Sequence, residues 1–175
     1  DRATCGVLLE GSGKRRITAA MGVINLTGLA ARLPPGARLI GLDPGRRTIG
    51  VALSDVSRMV ATPHASLARG KLAQNAAEIA AIARREGAGG LVVGLPLDLD
   101  GRPGPAAQAA RDWTHALSAA TGLDAVLWDE RLSTAAVERA LIGEADLSRR
   151  RRGEIVDRLA AAWILQGALD FLRRR

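Results

Sequence analysis

The spacing of apolar residues divides the chain into a first part with short apolar runs only and a later part in which helical periods also occur. Between Arg38 and about Thr62, three short apolar runs are separated by the turn sequences D-P-G and S-D-V-S. Runs of this kind, bounded by turn residues, predict strands. Connections this short require antiparallel pairing, because a parallel crossover needs a dozen residues or more. The predicted strands cover residues 39–42, 48–54 and 59–62.

From Lys71 onward a helical pattern alternates with short apolar runs. Apolar residues recur with helical spacing up to Glu86, and Gly87 ends the stripe, as glycine commonly does after a helix. The same pattern predicts helices over residues 106–120, 134–142 and 155–172, and strands over residues 91–93 and 125–128. Strands that alternate with helices pair in parallel through right-handed crossovers. The expected fold class is α/β: a mixed five-stranded sheet, with an antiparallel three-strand meander plus parallel strands, and helices on both faces.

The first part of the chain differs from the rest. Residues 1–20 mix Gly, Ser, Arg and Lys without a sustained period, which predicts a disordered N-terminal extension. Residues 21–36 are expected to form a short helix, capped by Asn25 or Thr27, and a Pro-Gly linker. Residues 37–175 are expected to form a single domain, because a 175-residue chain with 47% hydrophobic residues buries one core and hardly two.

Composition excludes several kinds of protein. No run approaches the roughly 18 apolar residues of a membrane span, and the first residues lack the long apolar region of a secretory signal. The single cysteine, Cys5, cannot form an internal disulfide, so a reducing cytoplasm is the expected location. One cysteine and two distant histidines, His64 and His115, also exclude an ordinary zinc site.

A net charge of +7 favours a polyanionic partner such as nucleic acid. The densest basic block is Arg149, Arg150, Arg151 and Arg152, five residues before Asp157. A run of like charges is usually a solvated face, but this run leads into the helix that carries a candidate metal ligand. We therefore expect nucleic-acid phosphates to contact this block and three further arginines: Arg46, Arg47 and Arg131.

Acidic residues stand at the ends of two predicted strands and on the last helix. Asp43 follows the first strand, Asp129 and Glu130 follow the strand at 125–128, and Asp157 lies on the helix at 155–172. Ligands of open α/β sheets bind beyond the carboxyl ends of the strands. Oxygen ligands suit Mg²⁺, which serves phosphodiester chemistry. The arrangement therefore predicts a metal-dependent nuclease.

Each acid also has a plainer structural interpretation. Asp43 in D-P-G is typical of a turn cap, and one acid of the pair Asp129 and Glu130 could neutralise Arg131. Adjacent residues of an extended chain point in opposite directions, so only one of that pair is expected to face a metal. Asp157 heads a stripe of small apolar residues, where an uncompensated carboxylate is costly. A salt bridge or the helix dipole is the alternative there, but the three acids together favour a metal.

Four ordered segments resemble the YqgF/RuvX family of the ribonuclease H-like superfamily. They read LIGLDPGRRTIGVALSD, LVVGLPLDLDGRPGP, DERLST and IVDRLAAAWILQGAL, and the resemblance covers residues 38–172. It implies a ribonuclease H-like fold and maps the family's catalytic acids onto Asp43, Glu130 and Asp157. With these ligands a two-ion Mg²⁺ or Mn²⁺ site is expected, in which Asp43 bridges the ions. The turn D-P-G-R-R-T departs from the family pattern at Arg46, where a small hydroxyl is more common.

The resemblance also implies a cytoplasmic bacterial nuclease that processes the 5′ end of precursor 16S ribosomal RNA. The expected partners are structured RNA or branched DNA, and ribosomal precursor particles, while the oligomeric state stays open. Two alternatives are a Holliday junction resolvase acting on four-way DNA and a catalytically idle nucleic-acid-binding module. An actin-like ATPase or sugar kinase shares the D-x-G opening but needs two domains around its nucleotide. The aromatic residues are expected in the core rather than as stacking platforms for bases: Trp113, Trp128, Trp163 and Phe171.

Overall fold

The computed structural model describes residues 22–96, 104–129 and 149–174. The elements follow one another as α1 (Leu26–Arg32), β1 (Arg38–Pro44), β2 (Thr48–Ser54), β3 (Ala61–Ala68), α2 (Leu72–Glu86), β4 (Ala88–Leu95), α3 (Pro105–Thr121), β5 (Asp124–Asp129) and α4 (Arg149–Arg173). The expected N-terminal extension, 1–20, and the predicted helix 134–142 lie outside the described residues. None of the helices described is long and apolar enough to cross a membrane.

The strands form one mixed sheet in the order β3-β2-β1-β4-β5. β2 pairs antiparallel with both β1 and β3, because the connections between these strands are too short for a crossover. β4 pairs in parallel with β1 and with β5. Helices α2 and α3 supply the long connections that these parallel pairs need. The predicted mixed five-stranded sheet is confirmed.

The third strand differs from its predicted bounds. β3 begins at Ala61 instead of residue 59 and continues to Ala68 instead of ending at residue 62. It starts later because Asp55 Oδ1 accepts hydrogen bonds from the N–H groups of Met59, at 2.6 Å, and Val60, at 2.9 Å. Because both N–H groups are used in this turn, Met59 and Val60 do not donate to the neighbouring strand. The strand extends further because it pairs with the whole of β2, from Ser54 to Thr48.

The last helix also begins earlier than the apolar stripe indicates. α4 starts at Arg149, six residues before the predicted start at Ile155. Arginine is a good helix former, so the basic block continues the helix although it adds nothing to the apolar stripe. Asp157 and the arginines therefore belong to one helix.

Two hydrophobic clusters lie on opposite faces of the sheet. On the α4 face, Leu39, Ala52, Val92 and Val126 pack against α1 and α4. On the α2–α3 face, apolar side chains of the same strands pack against the two crossover helices, among them Ile40, Leu42, Val51, Leu91 and Ala125. Successive residues alternate between the faces, as strand geometry requires. Residue parity therefore tells which face a strand residue occupies.

Residues 22–33, which the sequence places ahead of the main domain, pack on the same core. The N–H of Ile24 donates to the carbonyl of Ala125 at 2.9 Å, which joins this segment to β5. Leu29 is buried in the α4-face cluster. Of the two candidate caps, the structure uses Asn25, whose Oδ1 accepts a hydrogen bond from the N–H of Gly28 at 2.7 Å.

Candidate active site

The carboxyl end of β1 carries the first predicted acid. Leu39 belongs to the α4-face cluster and Gly41 lies against α4, so alternation places half-buried Asp43 on the same face. A tight turn follows, in which the N–H of Gly45 donates to the carbonyl of Asp43 at 3.0 Å. A Cβ on Gly45 would lie 2.8 Å from the carbonyl oxygen of Thr48. The turn therefore requires glycine and holds Asp43 at the edge of the sheet.

The second acid reaches the same place from α4. Asp43 is the partner of Gly50 across the β1–β2 pair, and partners of this kind have Cα atoms about 4.5–5.5 Å apart. The backbone carbonyl of Asp157 rests directly on Gly50, where a Cβ has no room. Thr48, on the same face of β2, donates its hydroxyl hydrogen bond to Oδ2 of Asp157. Asp43 and Asp157, from opposite halves of the chain, thus both adjoin Gly50, the first beside it in the sheet and the second above it on the α4 face.

Close contact between α4 and the sheet depends on small residues on both sides. A Cβ on Gly41 would lie 2.7 Å from the carbonyl oxygen of Ala161 and 2.7 Å from Cβ of Leu165. On the helix side, Ala161 and Ala168 are fully buried. The stripe of small residues below Asp157 therefore lets the helix backbone approach the strand backbone and brings Asp157 to the end of β1.

The third predicted acid follows β5. Val126 and Trp128 belong to the α4 face, and Leu127 packs on the α2–α3 face. Asp129, which ends β5, is two residues after Leu127 and therefore faces the α2–α3 side of the sheet. Glu130 and Arg131 lie outside the described residues. Within the ranges described, no three His, Cys, Asp or Glu residues come together as metal ligands.

The predicted phosphate contacts fall into two groups. Arg46 and Arg47 are exposed in the turn directly after Asp43. The block formed by Arg149, Arg150, Arg151 and Arg152 occupies the first turns of α4, and only its backbone path is described. The block precedes Asp157 by one to two turns on the same helix. Both groups are therefore close in sequence to an acid of the site.

Arg69, at the end of β3, holds the turn after Asp43 and was not predicted from the sequence. Its Nη1 donates to the carbonyl of Gly45 at 2.9 Å, and its backbone N–H donates to the carbonyl of Arg47 at 2.9 Å. Its guanidinium carbon lies 5.1 Å from the ring centre of Trp113, within the range of a cation–π contact. No local pattern points to this role, since Arg69 and Gly45 are 24 residues apart.

Asn75 in turn supports Arg69. Its side-chain amide donates to the carbonyl of Ala68 at 2.9 Å, and its Oδ1 accepts from the N–H of Gly70 at 3.0 Å. Both neighbours of Arg69 are thus held by one fully buried side chain. The sequence did indicate a buried role for Asn75, because it lies three residues after Leu72, within the apolar stripe of α2. A polar residue in such a stripe needs hydrogen-bond partners.

Comparison with solved structures shows the fold. The chain is similar to a structure described as "T. thermophilus RuvC in complex with Holliday junction substrate", with a TM-score of 0.52 and 16% sequence identity. The similarity covers 79% of this chain and 96% of that one. The chain therefore has the RuvC-like, ribonuclease H-like fold that the sequence predicted.

Comparison of sequences shows the family. The profile described as "RuvX: Holliday junction resolvase" matches residues 37–171. A protein of Acidiphilium cryptum, described as "Putative pre-16S rRNA nuclease", is 60% identical over 152 residues, which are 87% of this chain and 96% of that protein. A protein of Gluconacetobacter diazotrophicus with the same description is 59% identical over 86% of this chain and 97% of its own length. On these matches, and on the fold above, the chain belongs to the RuvX/YqgF family.

Proposed function

We propose that this protein is a divalent-metal-dependent nuclease that hydrolyses phosphodiester bonds at the 5′ end of precursor 16S ribosomal RNA. The observation that carries the proposal is the convergence of Asp43 and Asp157 at Gly50, on the α4 face of the sheet. The choice of substrate follows the relatives described as pre-16S rRNA nucleases, at 60% and 59% identity over nearly their whole lengths.

The donor set suits Mg²⁺ or Mn²⁺. Asp43 and Asp157 offer carboxylate oxygens, the ligands that these hard cations prefer. We assign Glu130 rather than Asp129 as the third ligand, as the family resemblance maps it, and because Asp129 faces the α2–α3 side of the sheet, away from Asp43 and Asp157. Bound ions would supply Lewis-acid activation of the attacking water and of the leaving oxygen.

The protein's own groups orient the acids and bind the substrate. The Thr48 hydroxyl fixes one carboxylate oxygen of Asp157, and the Gly45 turn, held by Arg69, fixes the end of β1. Arg46 and Arg47 are exposed three and four residues after Asp43, in the turn at the end of β1, where they bind phosphates that flank the scissile bond. Such phosphate contacts position the strand without reading its sequence.

Cleavage of a 5′-extended 16S precursor transcript, with Mg²⁺ and with EDTA, tests the proposal. We expect metal-dependent cleavage that Asp43→Asn and Asp157→Asn each reduce by at least about 100-fold, the scale for losing one group that stabilises charge in the transition state. Asp170→Asn is the matched control on α4, because Asp170 contacts Gln166 and Arg173, away from the site. Full activity of purified Asp43→Asn would overturn the assignment.

Two further arms separate the alternatives. The family profile is described as a Holliday junction resolvase, so a four-way DNA junction is assayed beside the RNA. Preferential cutting of the junction would select the resolvase. Binding of either substrate without any turnover would select the idle module.

The neighbouring acids are compared as well: we expect Glu130→Gln to resemble Asp43→Asn and Asp129→Asn to be milder.

A further inference from the structure

A cavity of about 650 Å³ opens beside the turn that follows Asp43. One wall is that turn, from Pro44 to Arg46, and Arg69 lies next to it. The opposite wall is formed by Pro96, after β4, and by the first turns of α3, including Pro105, Ala106 and Ala109. The cavity therefore lies at the carboxyl ends of β1 and β4, where α/β sheets bind their ligands.

The lining combines apolar walls with fixed positive charge. Among the described lining residues, Arg46 and Arg69 carry the charge, and prolines and alanines supply most of the remaining surface. Arg69 is held by Gly45 and by the ring of Trp113, yet a guanidinium has five N–H donors, so it keeps capacity for a ligand. The N-terminus of α3, which begins at Pro105 in the cavity wall, adds the positive partial charge of the helix dipole.

We propose that this cavity binds one unpaired nucleotide of the substrate strand, adjacent to the scissile phosphate. The volume falls within the roughly 300–1,000 Å³ of small-ligand sites. The ribose and base lie against the proline and alanine walls, and the phosphate lies on Arg46 and Arg69. A base within a duplex stack cannot enter such a cavity unless it is extruded. The site therefore selects strands that are single-stranded at the point of cleavage.

The position of the cavity relative to the acids supports this role. Its wall begins at Pro44, the residue after Asp43. A strand whose phosphate lies at Asp43 and Asp157 on the α4 face would cross the carboxyl edge of β1 at the Gly45 turn. The cavity on the other side of that turn receives the next nucleotide. This inference rests on the proposed nuclease function and adds the single-stranded character of its substrate.

A filled cavity tests the inference. Ala109→Trp places a bulky side chain in the cavity, whereas Ala119→Trp makes the same change at another exposed position of α3, about 15 Å further along the helix. Binding is measured in EDTA, with a labelled single-stranded oligoribonucleotide and with the blunt duplex of the same sequence. We expect Ala109→Trp to weaken single-strand binding about tenfold or more, equivalent to about 1.4 kcal/mol, because the indole fills the space of the bound nucleotide. Duplex binding is unchanged, and Ala119→Trp changes neither.

Two outcomes would overturn the cavity as a nucleotide site: no effect of Ala109→Trp, or equal weakening of single-strand and duplex binding. Thermal unfolding checks the fold of the variant, and Ala106→Phe replaces it if it does not fold. Wild-type cleavage of the precursor transcript separates this failure from failure of the nuclease. If the wild-type protein cleaves the transcript but Ala109→Trp has no selective effect on single-strand binding, only the nucleotide site in the cavity is rejected. If Ala109→Trp has the selective effect but the wild-type protein cleaves nothing, only the nuclease function is rejected.

Discussion

At the residue scale, the candidate site depends on the absence of a side chain at Gly50. Asp43 lies beside it on β1, and the backbone of Asp157 rests on its Cα. The two carboxylates can share a site only while α4 stays in contact with β2 at this point. A glycine within a strand often marks such a close approach of two backbones. Gly50 is thus as necessary to the geometry as the acids themselves.

Gly50→Ala should therefore lower stability and cleavage together. The new methyl group overlaps the carbonyl of Asp157, so α4 must move away. We expect a loss of about 1–3 kcal/mol in the free energy of unfolding, the usual cost of overpacking. Denaturant unfolding and the precursor cleavage assay measure the two effects.

Gly22→Ala is the matched control, because a Cβ on Gly22 meets nothing within 4 Å. If Gly50→Ala behaves like this control in both assays, α4 does not lie on β2 as described.

At the element scale, the β2–β3 connection is organised by one carboxylate. Asp55 accepts hydrogen bonds from the backbone N–H groups of Val60, Met59 and Ser57, at 2.9, 2.6 and 3.2 Å. Those of Val60 and then Met59 contribute most to lowering the pKa of Asp55 below its ordinary value. Arg58 in the same turn has a φ of 55°, which only a well-held turn imposes on a residue other than glycine.

The stability that Asp55 contributes should disappear in acid. A carboxyl group whose pKa is lower in the folded protein stabilises the fold above its ordinary pKa, near 4, and this contribution is lost as the pH falls through the folded value. We expect Asp55→Asn to lower the melting temperature at pH 7. The difference from wild type should shrink below about pH 4. A difference that stays constant from neutral to acid pH would show that the charge of Asp55 is not the cause.

The first turns of α4 concentrate positive charge at a helix end that already carries a positive partial charge. Arg149, Arg150, Arg151 and Arg152 begin the helix, and its first turn has no acidic residue. This arrangement costs some helix stability and suits a bound anion. The alternative is a solvated face that only keeps the protein soluble.

Replacing the four arginines with Ser should weaken binding to all nucleic acids and leave the chemical step nearly unchanged. Each phosphate contact contributes about 0.7 for single strands, or 0.9 for duplexes, to the slope of log affinity against log salt concentration. If two or more of the arginines contact phosphate, the slope becomes shallower by about 1.5 or more. An unchanged slope would select the solvated face and leave Arg46, Arg47 and Arg131 as the better-supported contacts.

At the scale of the whole molecule, the sheet separates two halves of the proposed site. Asp43 and Asp157 lie on the α4 face, and the cavity opens towards α3, which packs on the other face. Both reach the carboxyl edge of β1 at the Gly45 turn. The described residues thus hold the two acids, the turn and the cavity around one sheet.

Deletion of residues 1–20 should therefore leave melting temperature and cleavage within experimental scatter. The segment has no periodic apolar pattern. The relative from Acidiphilium cryptum is covered over 96% of its length by only 87% of this chain, so nearly all of that protein is matched without the whole of this one. Thermal unfolding and the precursor assay compare the truncated and full chains. A fall of several degrees in melting temperature would show that the segment packs on the domain.

The sequence by itself determined the sheet and the order of its elements. Apolar runs of strand length, the D-P-G turn and the helical stripe after Lys71 are local patterns, and short connections leave one way to pair β1 with β2. The same local reasoning placed Asp43 at the end of a strand and Asp157 on an inward helix face. The family followed from four ordered segments, and the profile match confirms it.

The tertiary structure alone decided how these parts meet. The bounds of β3 and α4 are a separate and local matter, because the hydrogen bonds of Asp55 span only four and five residues and α4 begins in the arginine block, outside the apolar stripe. The approach of Asp157 to Asp43 depends on Gly50, and the turn depends on Arg69 and the buried amide behind it. Each of the contacts at Gly50 and Arg69 joins residues distant in the chain. Local periodicity carries no information about such contacts, because they exist only once the backbones have packed.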